Sequence, residues 1–164
     1  MKKKQRMIYS INNISEEQIM VIAKALDTYC RLGLLQLDHA IIDDIRFGEN
    51  FDFTKNLTAI DNHITEIKRL IIQNNSKESI KEASLLGDLR GWSLGITSDG
   101  VPENALRAYE MSKAIYHKRW KENPPKHYSV DGNEGLKLTS DMSIVVESES
   151  ERQVKIKNIL NDAV

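Results

Sequence analysis

The stretch Ile14-Ser15-Glu16-Glu17-Gln18-Ile19 constrains the fold more than any other part of the chain. Ser15 stands where its hydroxyl can accept from the amides of a first helical turn. Gln18 can return a bond to the Ser15 amide, and Ile14 and Ile19 flank the pair as an apolar staple. Beyond it, Ile19, Ile22, Ala23, Leu26, Cys30, Leu34, Leu37, Ile41 and Ile45 recur at spacings of three and four. That is the period of one helical face, and it predicts a long helix reaching about Asp44. Gly33 interrupts the run at a cost of about 1 kcal/mol relative to alanine, so a kink or a close backbone contact is expected there. Val21, Leu32, Leu35 and Ile42 form a second stripe on the far side. A helix apolar on two faces lies centrally in its domain or at a subunit contact, which makes a homo-oligomer the expectation.

Three more helical stretches follow. Leu57, Ile60, Ile64, Ile67 and Ile71 set a heptad-like seam between about Asp52 and Gln73, expected to pack antiparallel on the first helix. Ile80, Ala83, Leu86 and Leu89 place a shorter helix between Ser76 and Gly91, and Pro102 opens another that runs to about Glu122, before Pro124-Pro125. After the prolines, Tyr128-Ser129-Val130 and Leu136-Lys137-Leu138 flank a glycine-containing turn and suggest a small hairpin, with 143–147 as a third strand. Ser150-Glu151-Arg152-Gln153 repeats the capping pattern ahead of a short last helix. The fold class expected is mainly α: a four-helix-type bundle with a small C-terminal β-hairpin and a short terminal helix. All of 1–164 reads as one domain, with 1–13 a tail or short strand, 15–122 a helical core, and 126–164 a small α+β tail packed on it.

Composition narrows the classes of function. Lys and Arg total 23 against 24 Asp and Glu, a formal net charge of −1, so no global positive field draws the chain to nucleic acid. No window approaches the roughly 18 to 20 apolar residues that span a bilayer, so no membrane partner is expected. Cys30 is the sole cysteine and falls on the core-facing stripe, which points to a reducing, cytoplasmic setting and an inert thiol. His39 with Asp43 and His63 with Glu66 have ligand spacing, but neither pair has a second histidine, so no metal is expected. There is no Gly-Lys-Ser/Thr and no CxxC, so no cofactor is expected either.

Three constellations remain. Asp27, Arg31 and Asp38 share an edge of the first helix, either as a surface ion pair or as an arginine fork held ready for a phosphate or carboxylate. Tyr109, Tyr116 and Trp120 form an aromatic line on the helix after Pro102, with Lys113 and His117 alongside and Arg107 on the flank. Such a line ordinarily belongs to the core, yet a lysine and a histidine beside it suit a groove that stacks a base and neutralises a phosphate. The loop ahead of that helix sets Arg90, Trp92, Ser93 and Thr97 near free amides and the positive end of a helix dipole, either as an ordinary connection or as an anion site.

Ala25-Leu26-Asp27-Thr28-Tyr29-Cys30-Arg31-Leu32-Gly33-Leu34-Leu35-Gln36 resembles the opening helix of a group of small bacteriophage accessory proteins with the pattern Ala-Leu-Asp-x-Tyr-x-Arg-x-Gly-x-x-Gln. Ser93-Leu94-Gly95-Ile96, Arg107-Ala108-Tyr109-Glu110 and Ile115-Tyr116-His117 resemble that group's second half. Cys30 departs from the aliphatic or aromatic residue usual at its place. The resemblance implies an accessory protein acting in the bacterial cytoplasm, and it brings no catalytic residue with it. By analogy with phage proteins that counter host defences, the leading expectation is non-enzymatic sequestration of a small anionic ligand, such as a cyclic nucleotide or an ADP-ribose derivative. Arg31, Arg90 and Arg107 would meet phosphates, and Tyr29, Trp92, Tyr109 or Tyr116 would stack on bases. The alternatives are a helical module that inhibits or adapts a host protein, and a hydrolase of a nucleotide signal using His117.

Overall fold

The computed structural model describes residues 11, 14–40, 53–74, 89, 91–127, 130–141 and 144–162. They are mainly helical: α1 spans Glu16–Gly33, α2 Phe53–Gln73, α3 Glu103–Glu122 and α4 Glu149–Asp162. The tail or short strand expected over 1–13 and the helix expected between Ser76 and Gly91 lie outside the described residues, apart from Ile11, Leu89 and Gly91.

The start of α1 follows from its cap. Ser15 Oγ accepts from the Gln18 amide at 3.2 Å, and the Ser15 amide donates to Gln18 Oε1 at 2.9 Å. Its end comes a turn after Cys30, well short of Asp44. Leu34 caps the helix and Leu35 takes φ 59°, while the Leu35 amide donates to Leu32 O at 3.1 Å and the Gln36 amide to Arg31 O at 2.9 Å. This paired closure normally places glycine at the left-handed position. Leucine is tolerated there because the reversal carries its side chain into the core, where it is buried beside Leu34. The reversal also ends the expected two-sided stripe: Leu35 is buried, whereas Val21 and Leu32 are exposed.

Gly33 permits a close helix contact. A Cβ there would lie 2.4 Å from the Ala105 Cβ, so the end of α1 presses on the start of α3. At the other end of the pair, Arg119 Nε reaches Glu16 Oε1 at 3.2 Å, so the helices run antiparallel. Small side chains line the contact, with Ala23 and Cys30 on α1 facing Ala105, Ala108 and Ser112 on α3. Ser112 Oγ donates to the Tyr109 carbonyl at 2.9 Å, which satisfies its hydroxyl inside an otherwise apolar seam.

Among the described helices only α1 and α3 pack side by side. Instead of lying along α1, α2 enters the core through Ile64, Lys68 and Ile72. Lys68 is 0% exposed. Its ammonium donates to the carbonyls of Leu89 at 3.1 Å and Trp92 at 2.8 Å and lies 3.7 Å from Asp38 Oδ1, tying α2 to the turn after α1 and the loop before α3. Ile72, Leu89, Leu94 and Val101 close the core against Leu34 and Leu35.

The C-terminal hairpin is not found among the described residues, which contain no strand; Tyr128, Ser129 and Ser143 of its expected arms lie outside them. A 3-10 turn spans Val130–Gly132, and the extended residues after it spend their amides elsewhere. Leu138 and Thr139 donate to the Glu110 carboxylate at 2.6 and 2.7 Å, which leaves no ladder partner for them. The cap of α4 is also displaced from its expected place. The Ser148 amide donates to Glu151 Oε2 at 3.0 Å and the Glu151 amide to Ser148 Oγ at 3.4 Å, two residues ahead of the pair at Ser150 and Gln153. No helix among the described residues is long and apolar enough to cross a membrane.

Candidate functional site

Helix α3 has two working faces. Ala105, Ala108, Ser112 and Ile115 are buried toward α1, whereas Glu110, Lys113, Ala114, His117, Lys118 and Lys121 recur at helical spacing and line a cleft of about 410 Å³. Its opposite wall is Glu134, Gly135, Leu136 and Lys137, with Ile144, Val145 and Val146 beyond. The volume is within the range of small-molecule sites.

The 130–141 segment is held on α3 by three features. The Glu110 carboxylate is buried and accepts from Lys137 Nζ at 2.8 Å and Thr139 Oγ1 at 2.9 Å, besides the two amides. Burial pushes that carboxyl up, but the bonds from Lys137, Thr139 and Leu138 outweigh it and hold it down at about 2. Gly135 crosses directly over Lys113, where a Cβ would sit 2.6 Å from the lysine Cβ. Gly132 lies on the Trp120 indole, where a Cβ would come within 3.0 Å of the ring, and Trp120 stacks in turn on His117 with ring planes 5° apart.

This arrangement fixes the state of His117. Its Nδ1 lies 3.0 Å from the Asp131 carbonyl oxygen, and a carbonyl only accepts, so Nδ1 carries the hydrogen. With the hydrogen on Nδ1, Nε2 of the neutral ring is an acceptor, and it is buried and without a hydrogen-bond partner among the described residues. The lysines divide into two groups. Lys118 is held by Glu151 at 2.5 Å and Glu122 at 3.2 Å, and Lys137 by Glu110. Lys113 is 3.8 Å from Asp131 and Lys121 is 3.8 Å from Glu134. Those two separations are too long for hydrogen bonds, so both ammonium groups keep donors to offer.

The residues singled out from the sequence are scattered. Lys113 and His117 line the cleft. Tyr109 packs on the core and its hydroxyl lies 3.5 Å from the Leu136 amide; Tyr116 is half-buried on the same helix. Arg107 is surrounded by Asp141 at 2.6 Å, Glu103 at 2.6 Å and Asn104 at 2.8 Å. Arg31 Nε bonds Asp27 at 2.7 Å on α1, and Tyr29 is exposed nearby. Asp38 leaves their edge because the helix has already ended, and it faces Lys68 instead. Trp92 packs on the core; Ser93 is half-buried and Thr97 exposed in the loop before α3; Arg90 lies outside the described residues. Burial, with the Asp27 carboxylate adding to it, pushes the Cys30 thiol up to about 11, which suits a packing residue.

Lys118, Lys121, Lys137 and Glu134 were not singled out from the sequence. The spacing of Lys113, His117 and Lys121, four residues apart in turn, already places those three on one face of the helix. Nothing in the sequence brings residues 134–137 over that face. Comparisons with protein-family models, with curated proteins and with solved structures find no match.

Proposed function

We propose that the chain is a small-molecule binding protein of phage accessory type, which sequesters an anionic, nucleotide-derived ligand in the cleft between α3 and residues 134–146. The observation that carries this reading is the pairing of an unpartnered, buried His117 Nε2 with two loosely held ammonium groups, Lys113 and Lys121, around one void. Two ammonium donors beside an imidazole nitrogen that accepts while the ring is neutral, and donates once it is doubly protonated, match the needs of a phosphate, which carries both oxyanion and O–H. Leu136, Ile144 and Val145 supply an aliphatic wall for the apolar body of the ligand, where the sequence suggested aromatic stacking.

Binding is favoured over turnover by the same lining. Among the described residues it contains no serine, threonine, cysteine or tyrosine to act as nucleophile, and its one buried carboxylate, Glu110, is saturated by four hydrogen bonds. Calorimetry against cyclic nucleotides and ADP-ribose derivatives tests the proposal. Heat with at least one of them, reduced at least tenfold in affinity by Lys113→Ala with Lys121→Ala, is expected; no heat with any member refutes it. Release of the bound compound chemically unchanged separates sequestration from hydrolysis.

A second reading has its own observation. Ile67, Leu70 and Ile71 form an exposed apolar strip on α2, and Val21 and Leu32 are exposed on α1, as a protein-binding or self-associating helix would show. Sedimentation equilibrium and capture of a stoichiometric partner at high salt test it; a strict monomer with no partner counts against it.

A further inference from the structure

We infer that Glu134 is a built-in competitor for the anion: its carboxylate sits where a ligand oxyanion would bind and must swing out for the cleft to fill. The inference rests on the binding reading above. One oxygen, Oε1, lies 3.7 Å from His117 Nε2 and 3.8 Å from Lys121 Nζ. That position is nearly midway between the two nitrogens and within hydrogen-bond distance of neither, so the carboxylate offsets the Lys121 charge without satisfying either group. A phosphate can approach both groups more closely, accepting from Lys121 and either donating its O–H to Nε2 or accepting from the doubly protonated ring.

The backbone and side chain of this residue differ in their freedom. The chain is pinned immediately after it, because Gly135 is pressed on Lys113 and residues 137–139 are bonded to Glu110. The Glu134 side chain itself is 81% exposed. It can therefore leave the subsite by rotation about its own bonds, with no displacement of the wall that carries it. Displacement exchanges one carboxylate for another anion, so the cleft stays close to charge balance in both states and is shielded from weakly held anions.

The test uses the full chain titrated with inorganic phosphate and with adenosine monophosphate, followed by calorimetry and by the imidazole nitrogen resonances of His117. Replacing the carboxylate in Glu134→Gln removes a like charge about 4 Å from the incoming anion and should tighten both probes by about fivefold. His117→Ala should weaken them by about tenfold or more. In Glu134→Gln the His117 Nε2 resonance should shift at correspondingly lower phosphate. Binding by the native chain that is unchanged or weaker in Glu134→Gln overturns this inference and leaves the binding reading standing. Absence of binding to native chain and variant alike overturns both.

Discussion

Replacing Glu110 by glutamine should release the 136–141 segment from α3 without unfolding the helix pair. The native carboxylate accepts four bonds, from Lys137 Nζ, Thr139 Oγ1 and the Leu138 and Thr139 amides, at 2.6 to 2.9 Å. A glutamine of the same shape keeps one accepting oxygen and turns an amide N–H toward donors. A carboxyl lowered from 4.5 to about 2 favours the docked, charged form by about 3 kcal/mol, at about 1.4 kcal/mol for each unit. Amide hydrogen exchange at Leu138 and Thr139 reports the docking, and Glu110→Gln, which removes the charged form, should lower their protection by up to about 300-fold. The pH dependence has a definite sign. Because the folded value is the lower one, the contribution is complete above about pH 4.5 and is lost as pH falls through about 2. Glu110→Gln should abolish that slope. Unchanged protection at both amides, or a variant with the same acid sensitivity as the native chain, would refute the assignment.

Two packing predictions follow from the core. Gly33→Ala places a methyl 2.4 Å from the Ala105 Cβ; despite the better helix propensity it should destabilise by about 1 to 3 kcal/mol in urea denaturation, and Ala105→Gly should recover part of the loss in the double variant. Lys68→Met fills the same space but strips a donor from the Leu89 and Trp92 carbonyls, so thermal unfolding should show a loss of about 1 to 3 kcal/mol.

How far the sequence could be read depended on the range of the interaction concerned. The Ser15–Gln18 cap, the helical period of α2 and the opening of α3 after Pro102 are set by residues within a turn of one another, and all three are found; the seam expected on α2 is not, since Ile67 and Ile71 are exposed and Ile64, Lys68 and Ile72 are buried instead. The end of α1 was read too late because the stripe continues through Leu34 and Leu37. What ends the helix is the left-handed turn at Leu35, at a residue type that does not signal it, just after the close contact of Gly33 with Ala105, 72 positions away in sequence. The hairpin was misread for a similar reason. Alternating residues near a glycine turn look like strands, but Glu110, more than a helix length upstream, takes the amides that a ladder would use. Within the site, Lys113 and His117 were visible as helix neighbours, while Arg107 looked free because its carboxylate partner Asp141 lies far along the chain. Arg31 and Arg107, conspicuous in the sequence, are paired with carboxylates in the fold, whereas no local signal in the sequence brings Glu134 to Lys121.

The central claim, that the α3 cleft holds a small anion without consuming it, is tested most directly by native mass spectrometry of the full chain purified from bacteria, followed by denaturation and identification of what is released. The account predicts an anionic compound released intact, and its loss when Lys113 and Lys121 are both replaced by glutamate while α1 and α3 remain folded. A bare chain mass, a converted product, or retention of the compound in that double variant would contradict it.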